Sequence, residues 1–253
     1  MPYNPDKKSI TKVQAKKVGA REVILKNHLE NLKVTLLQYA SKKELDKYVA
    51  GWSTLTWSDI PGKGEVFDAI KNDATSLALK GYILPTILET IGVVFLLEGL
   101  SQIDAVHILR HRTMSFSGQS TDARDIRDDA YVLPPELFID SKFKDRIKKL
   151  HQDAVNLYID MVENDEVSRE HARYICPRSA ETALYMRGNI KDIIHLINTR
   201  LDRQTQPMSD NIIAAKMAIE LVKVYPELKS QFNLDPVSHF YLKSVQTPVA
   251  HAL

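Results

Sequence analysis

The sequence predicts an α+β layered protomer, and three observations predict it. Hydrophobic residues make up 44% of the 253, enough to bury a real core in one large domain or two small ones. Strand-like runs and helical periodicities alternate early in the chain, whereas helical periodicities dominate late. The most apolar window, Ile83 to Leu100, is interrupted by Pro85, Glu89 and Glu98, so it falls short of the ~20 apolar residues that span a bilayer.

Residues 1–30 hold Lys7, Lys8, Lys12, Lys16, Lys17, Arg21 and Lys26 against few acids, and they lack the apolar centre of a secretory signal. They read as a basic N-terminal extension, either a solvated tail or surface helix or a mobile arm. Residues 31–253 read as one further unit. Its first strand is "KVTLLQYA", Lys33 to Ala40, followed by the helix "SKKELDKYVAGW", where Ser41 and Glu44 have the spacing of a capping box. A turn at "DIPGKGE" leads into the helix "EVFDAIKNDATSLALKG", closing on Gly81. "TIGVVFLLEG" is short and rich in β-branched residues, which favours a buried strand.

Next, "SQIDAVHILRHR" spaces Ile103, Val106 and Leu109, and also Ala105 and Ile108, helically behind Ser101 as N-cap. "SKFKDRIKKLHQDAVNLYIDMVEN" places Phe143, Ile147, Leu150, Ala154, Leu157 and Met161 on one face, expected to pack on the core. "VSREHARYICP" reads as a short helix from Ser168 stopped by Pro177, and "ETALYMRGNIKDIIHLINTRL" as a longer helix with mixed faces. The last helix starts near Ser209 or Asp210 and ends at Pro226.

Composition narrows function. Lys and Arg number 34 against 32 Asp and Glu, so no general pull toward nucleic acid or an anionic membrane is expected and any anion recognition is local. One cysteine, Cys176, excludes an internal disulfide and a thiolate-rich metal site, and agrees with a reducing, cytoplasmic setting. No metal site is expected, and there is no Gly-rich phosphate loop.

The chemistry concentrates in "RHRTMSFSGQS", Arg110 to Ser120, directly behind an element built to be buried. Guanidiniums there suit a fixed anion site, although cations at a helix C-terminus are also favoured by its dipole alone. Arg110-His111-Arg112, seven residues, then Ser120 resembles the signature of the flavin-dependent thymidylate synthases. "FLLEGLS" before it, "YVLPPEL" after it, "REHARYICP" at Arg169 to Pro177, and Arg200 a further 23 residues on extend the resemblance over about Lys33 to Glu227.

The resemblance implies a mixed or antiparallel sheet flanked by helices, assembled as a homotetramer that binds FAD in sites shared between subunits. It implies reductive methylation of dUMP to dTMP, with methylenetetrahydrofolate as carbon donor and NADPH as reductant. By the same resemblance, Arg110, His111, Arg112, Asn189, His195, Gln204 and, in a looser alignment, Glu89 are candidate cofactor contacts. Ser120 and Arg200 are candidate catalytic residues, and Gln119, Ser120, Arg173 and Arg200 candidate nucleotide contacts. Plainer roles stand beside these: a capping Ser120, a surface Arg173, a helix-start Asn189, a core His195, and an Arg200 that merely offsets a helix dipole. Cys176 reads as a small buried residue and not a nucleophile.

The chain also departs from the family pattern. Asp122 and Ala123 stand where an Arg-Tyr pair usually contacts phosphate, His107 stands for a Gln, Gly118 for an acid or amide, and "TQPMSD" for "AQxEIR". Arg124 or Arg127 from a shifted loop is a candidate replacement. These changes open an alternative, a related carbon-5 methylase or hydroxymethylase acting on another pyrimidine nucleotide.

Overall fold

The computed structural model describes residues 22–57, 74–82, 85–120, 130–138, 142–163, 167–202 and 204–232. In chain order the elements are β1 (Ile24–Asn27), α1 (His28–Asn31), β2 (Lys33–Gln38), α2 (Lys42–Trp57), α3 (Ala74–Leu79), a 3-10 turn (Pro85–Glu89), β3 (Gly92–Ser101), α4 (Gln102–Leu109) and β4 (Ser115–Gly118). There follow β5 (Ala130–Leu133), α5 (Pro135–Phe138), α6 (Lys144–Glu163), α7 (Arg169–Ala172), a 3-10 turn (Arg173–Ile175), β6 (Glu181–Asn189), α8 (Ile190–Leu201), α9 (Met208–Val224) and a closing 3-10 turn (Pro226–Gln231). The turn expected at "DIPGKGE" lies outside the described residues.

Four strands form an antiparallel sheet in the order β2-β3-β6-β4. Residue alternation gives it one helix-covered face. Val93, Phe95 and Leu97 of β3 and Leu184 and Met186 of β6 are buried against Ile193, Leu196 and Ile197 of α8 and Ile213, Met217 and Leu221 of α9. Each such side chain contributes about 1.5–3 kcal/mol of burial, so this layer fixes how α8 sits on the sheet.

The expected strand and helix at 33–52 are present, and the capping box closes as spaced. Ser41 N and Oγ both donate to Glu44 Oε2 at 2.7 Å. At the start of α4, Ser101 N donates to Asp104 Oδ2 at 2.8 Å while Ser101 Oγ accepts from Asp104 N at 3.2 Å. Gly99, at φ +77°, makes the bulge between Leu97 and Leu100; a Cβ there would stand 2.4 Å from Asn31 O. Only glycine lets α1 approach this closely.

Three expectations are corrected. Residues 181–189 are strand β6, not the start of a long helix. Thr182, Leu184 and Met186 are buried while Tyr185 and Arg187 are exposed, a period of two that pairing to β3 and β4 imposes over the helix-forming composition. On α6 the buried face is His151, Val155, Tyr158 and Ile159, whereas Phe143, Leu150 and Leu157 are exposed. Apolar periodicity missed this because the inward face is built on His151, whose ring meets Tyr131 edge-on at 4.4 Å and bonds Ile147 O and Ser179 Oγ. Finally, residues 24–31 join the fold: β1 pairs in parallel with β5, and Lys216 of α9 donates to Leu29 O and Leu32 O. Among the described residues no helix is long and apolar enough to cross a membrane.

Candidate active site

Helix α8 carries Arg200 in its last turn, and packing of Ile193, Leu196, Ile197 and Leu201 against the sheet turns that residue inward. Arg200 is only 8% exposed, next to Asp210, which is 0% exposed in the first turn of α9. Its Nη1 donates to Asp210 Oδ2 at 2.9 Å and to Gln206 Oε1 at 2.6 Å. Nη2 donates to the carbonyl of His107 at 2.7 Å, and Nε to His111 Nε2 at 3.1 Å. Four of the five guanidinium N–H groups are thereby engaged.

These contacts bring the end of α4 to the end of α8. Arg110 is the C-cap of α4, and His111 and Arg112 continue from it. A guanidinium cannot accept a hydrogen bond, so His111 Nε2 must, which places the His111 proton on Nδ1. Burial first, then Arg200 and His195, push the His111 imidazole down to about 4, which keeps it neutral. The His195 ring stands edge-on to it with centroids 6.3 Å apart. Arg110 and Arg112 are exposed, and among the described residues neither is paired with an acid. Two free cations beside a neutral imidazole N–H donor suit an anionic, hydrogen-bond-accepting group such as a flavin with its phosphates.

Other sequence-predicted residues lie elsewhere. Asn189 is the N-cap of α8, accepting from Asp192 N at 2.8 Å. It sits eleven residues before Arg200, about 16 Å along the helix. Glu89 pairs with Lys191 in the first turn of the same helix. Gln204 follows α8, its backbone N–H bonded to Asp202 Oδ1 at 2.9 Å. Arg173 begins the 3-10 turn after α7 and donates from Nε to Glu170 O at 3.1 Å.

Gln119 and Ser120 leave the far end of β4, where Gln119 N donates to Ala183 O at 3.1 Å. There, on the sheet face away from α8, lies a cleft of about 430 Å³ lined by Leu96, Glu98, Gly118, Gln119, Glu181 and Tyr185 among others. Glu181 accepts from Lys26 Nζ at 2.9 Å and from Asn31 Nδ2 at 2.7 Å. Glu98 faces Lys33 Nζ at 3.3 Å.

In the sequence His107 and "TQPMSD" stand out as departures from the family pattern and Asp210 as a candidate helix start; the structure makes His107, Gln206 and Asp210 the immediate partners of Arg200. No periodic signal marks Asp210, because a buried acid in a first turn looks like an ordinary dipole partner. Glu98, Glu181 and Tyr185 were not anticipated either. Among the described residues no group of three or more His, Cys, Asp or Glu could hold a metal ion.

Comparison with known proteins bears on this arrangement. A family model described as "Thymidylate synthase complementing protein" matches residues 35–227. A flavin-dependent thymidylate synthase from Pyrococcus furiosus is 26% identical over 205 residues, 76% of this chain and 80% of the relative. One from Sulfurisphaera tokodaii is 30% identical over 145 residues, 56% of this chain and 55% of that protein. Among solved structures, a UMP/dUMP methylase, PolB, from Streptomyces cacaoi bound with 5-Br dUMP superposes with a TM-score of 0.66 at 16% identity, covering 83% of this chain and 96% of that one. At that identity the likeness bears on the fold.

Proposed function

The chain belongs to the thymidylate synthase complementing protein family, and from that premise we propose that it reductively methylates carbon 5 of a pyrimidine nucleotide, dUMP in the first instance. FAD, methylenetetrahydrofolate and NADPH complete the reading, as does a homotetramer whose sites are shared between subunits. The observation that carries it is the buried Arg200, locked by Asp210 and Gln206 and hydrogen-bonded to the neutral His111 of the Arg-His-Arg cluster.

In this reading Arg110, Arg112 and the Nδ1–H of His111 hold the flavin, with His195 behind His111. Bound FAD supplies hydride transport from NADPH to the transferred carbon. Arg200 has one N–H left on Nη2, which suits a single carbonyl oxygen of the pyrimidine. Because its partners fix the guanidinium in advance, charge gathering on that oxygen as carbon 5 attacks is met with no reorganisation. Ser120 and Gln119 supply a hydroxyl and an amide to orient the base or sugar, and Arg173 has the fork geometry that a phosphate takes.

A ribonucleotide is the second reading. Asp122 and Ala123 replace the usual phosphate-facing Arg-Tyr, and the structural neighbour is named for both UMP and dUMP. The test is an absorption spectrum of purified protein before and after dialysis against FAD, then turnover of dUMP, UMP and dCMP with methylenetetrahydrofolate and NADPH. Flavin uptake with methylation of one nucleotide is expected, and that nucleotide names the substrate. Protein that takes up no flavin ends the proposal.

A further inference from the structure

Asp210 is wholly buried, and its two oxygens serve different partners. Oδ2 accepts from Arg200 Nη1 at 2.9 Å, and Oδ1 lies 3.1 Å from His107 Nδ1. A carboxylate held by a guanidinium only accepts, so His107 donates from Nδ1. That leaves the lone pair of a neutral His107 on Nε2, on a side chain 29% exposed. Had the carboxylate needed only a second donor, a side-chain amide at 107 would serve. A histidine adds a second nitrogen able to take up a proton, and an Asp behind it fixes which nitrogen that is.

From this geometry we propose that His107 is the proton acceptor of the site and that Asp210 is its positioning residue. The proposal rests on the methylation reading above. Replacing the hydrogen on carbon 5 requires that hydrogen to leave as a proton. The ring π pair at carbon 5 forms the new carbon–carbon bond to the folate-borne methylene as its bond to one folate nitrogen breaks; the nicotinamide-derived hydride then displaces the second nitrogen, so that tetrahydrofolate leaves with both C–N electron pairs and the carbon becomes methyl. The electron pair of the broken C5–H bond returns to the ring double bond. The proton passes to His107 Nε2 and from there to solvent, reached through the exposed edge of the imidazole.

Among the described residues the charged and titratable groups around His107 are few. Asp210 of α9 offsets the imidazolium formed, and Arg200 of α8, bonded to the His107 carbonyl, opposes it. On its own helix and exit, Arg110 and His111 lie three and four residues on, and Asp104, three residues back, is turned to His28. Asp210 is thus the acid that makes proton uptake compatible with the adjacent guanidinium.

The test uses full-length, FAD-loaded protein as wild type, His107→Gln and Asp210→Asn. An amide at 210 has one oxygen, which Arg200 claims as an obligate donor. Its NH2 then faces His107 Nδ1 and forces the proton onto Nε2, the wrong tautomer for an acceptor. Nitrogen-15 NMR of labelled histidine is expected to show His107 protonated at Nδ1 in wild type and at Nε2 in Asp210→Asn. An unchanged tautomer overturns the pairing.

Turnover is then followed with dUMP or UMP, whichever the wild type methylates, deuterated at carbon 5. His107→Gln is expected to lower kcat by about 10²-fold or more and to enlarge the deuterium isotope effect. FAD absorbance and nucleotide binding should stay within about threefold of wild type, as for loss of one proton-transfer group. A His107→Gln variant with wild-type kcat and isotope effect overturns the proposal even if Asp210→Asn fails to fold. Wild-type protein that binds flavin and methylates no pyrimidine nucleotide removes the underlying reading instead, and the proton-acceptor role falls with it.

Discussion

Arg200 and His111 share a hydrogen bond whose direction is fixed, from Arg200 Nε to His111 Nε2 at 3.1 Å. It joins the ends of two helices 89 residues apart in sequence and commits His111 to a neutral ring with its proton on Nδ1. Burial, Arg200 and His195 hold that ring at about 4 against an ordinary 6.5. The unfolded chain therefore takes up a proton between those values that the folded chain does not. Stability is therefore full above about pH 6.5 and falls as pH drops toward about 4. Thermal unfolding at about pH 7 and about pH 5 should show a larger drop for wild type than for His111→Gln. His151, also lowered by burial, acts in the same sense in both proteins and cancels in the comparison. Equal drops would remove the role assigned to His111.

Asp104 gives a separate acid limb. Burial raises its carboxyl, but the hydrogen bond and charge of His28 and the bonds from Ser101 outweigh that and hold it at about 2, below 3.8. A depressed carboxylate contributes stability that is present above about pH 3.8 and lost as pH falls through about 2. Near neutrality Asp104→Asn should cost about 2 kcal/mol, by the conversion of roughly 1.4 kcal/mol per pKa unit, read as a lower urea midpoint. It should also flatten unfolding between about pH 4 and about pH 2. An Asn variant as stable as wild type at neutral pH contradicts a stabilising contact between Asp104 and His28, which lies at the joint of α1 with α4.

Gly99→Ala tests why α1 can sit where it does. The substitution places a Cβ at φ +77° and 2.4 Å from a backbone oxygen, Asn31 O, which has no flexible end to move. The left-handed conformation alone costs about 1–2 kcal/mol, and the clash adds to it. A loss above about 2 kcal/mol in urea unfolding is expected. A smaller loss means that the bulge relaxes and that the approach of α1 is not set by this glycine.

How much of this was legible depended on whether the signal was local. Ser41-Glu44, the β-branched run of β3, the capped start of α4 and the exposed cations of Arg110 and Arg112 are written in adjacent residues. The resemblance supplied Arg200. Elements decided by partners were not legible: "ETALYMRGN" has helix-forming composition, and only its place between β3 and β4 makes it a strand. His151 faces inward because Tyr131 and Ser179 await it. Asp210 and His107 could be seen as departures from a pattern, but their common partner, Arg200, becomes visible only when α4, α8 and α9 converge.

Arg112 precedes β4 and Ser120 follows it. Ser115 to Gly118 runs extended between them, at about 3.3 Å per residue. Within one chain the cationic end and the hydroxyl end therefore lie apart, Arg112 next to the His111 that meets α8 and Ser120 next to the Gln119 that lines the cleft. A site that uses both must either close up or borrow one end from a second copy. Arg112→Ala and Ser120→Ala, each expected to lower turnover at least tenfold when expressed alone, distinguish the two. If the sites are shared, co-expressed mixtures contain some sites with both residues intact and recover activity that neither parent has, while FAD content follows the Arg112 subunits. If mixtures show only the sum of the two parents, each site is built within one protomer, and β4 has to move for Arg112 and Ser120 to act on the same ligand.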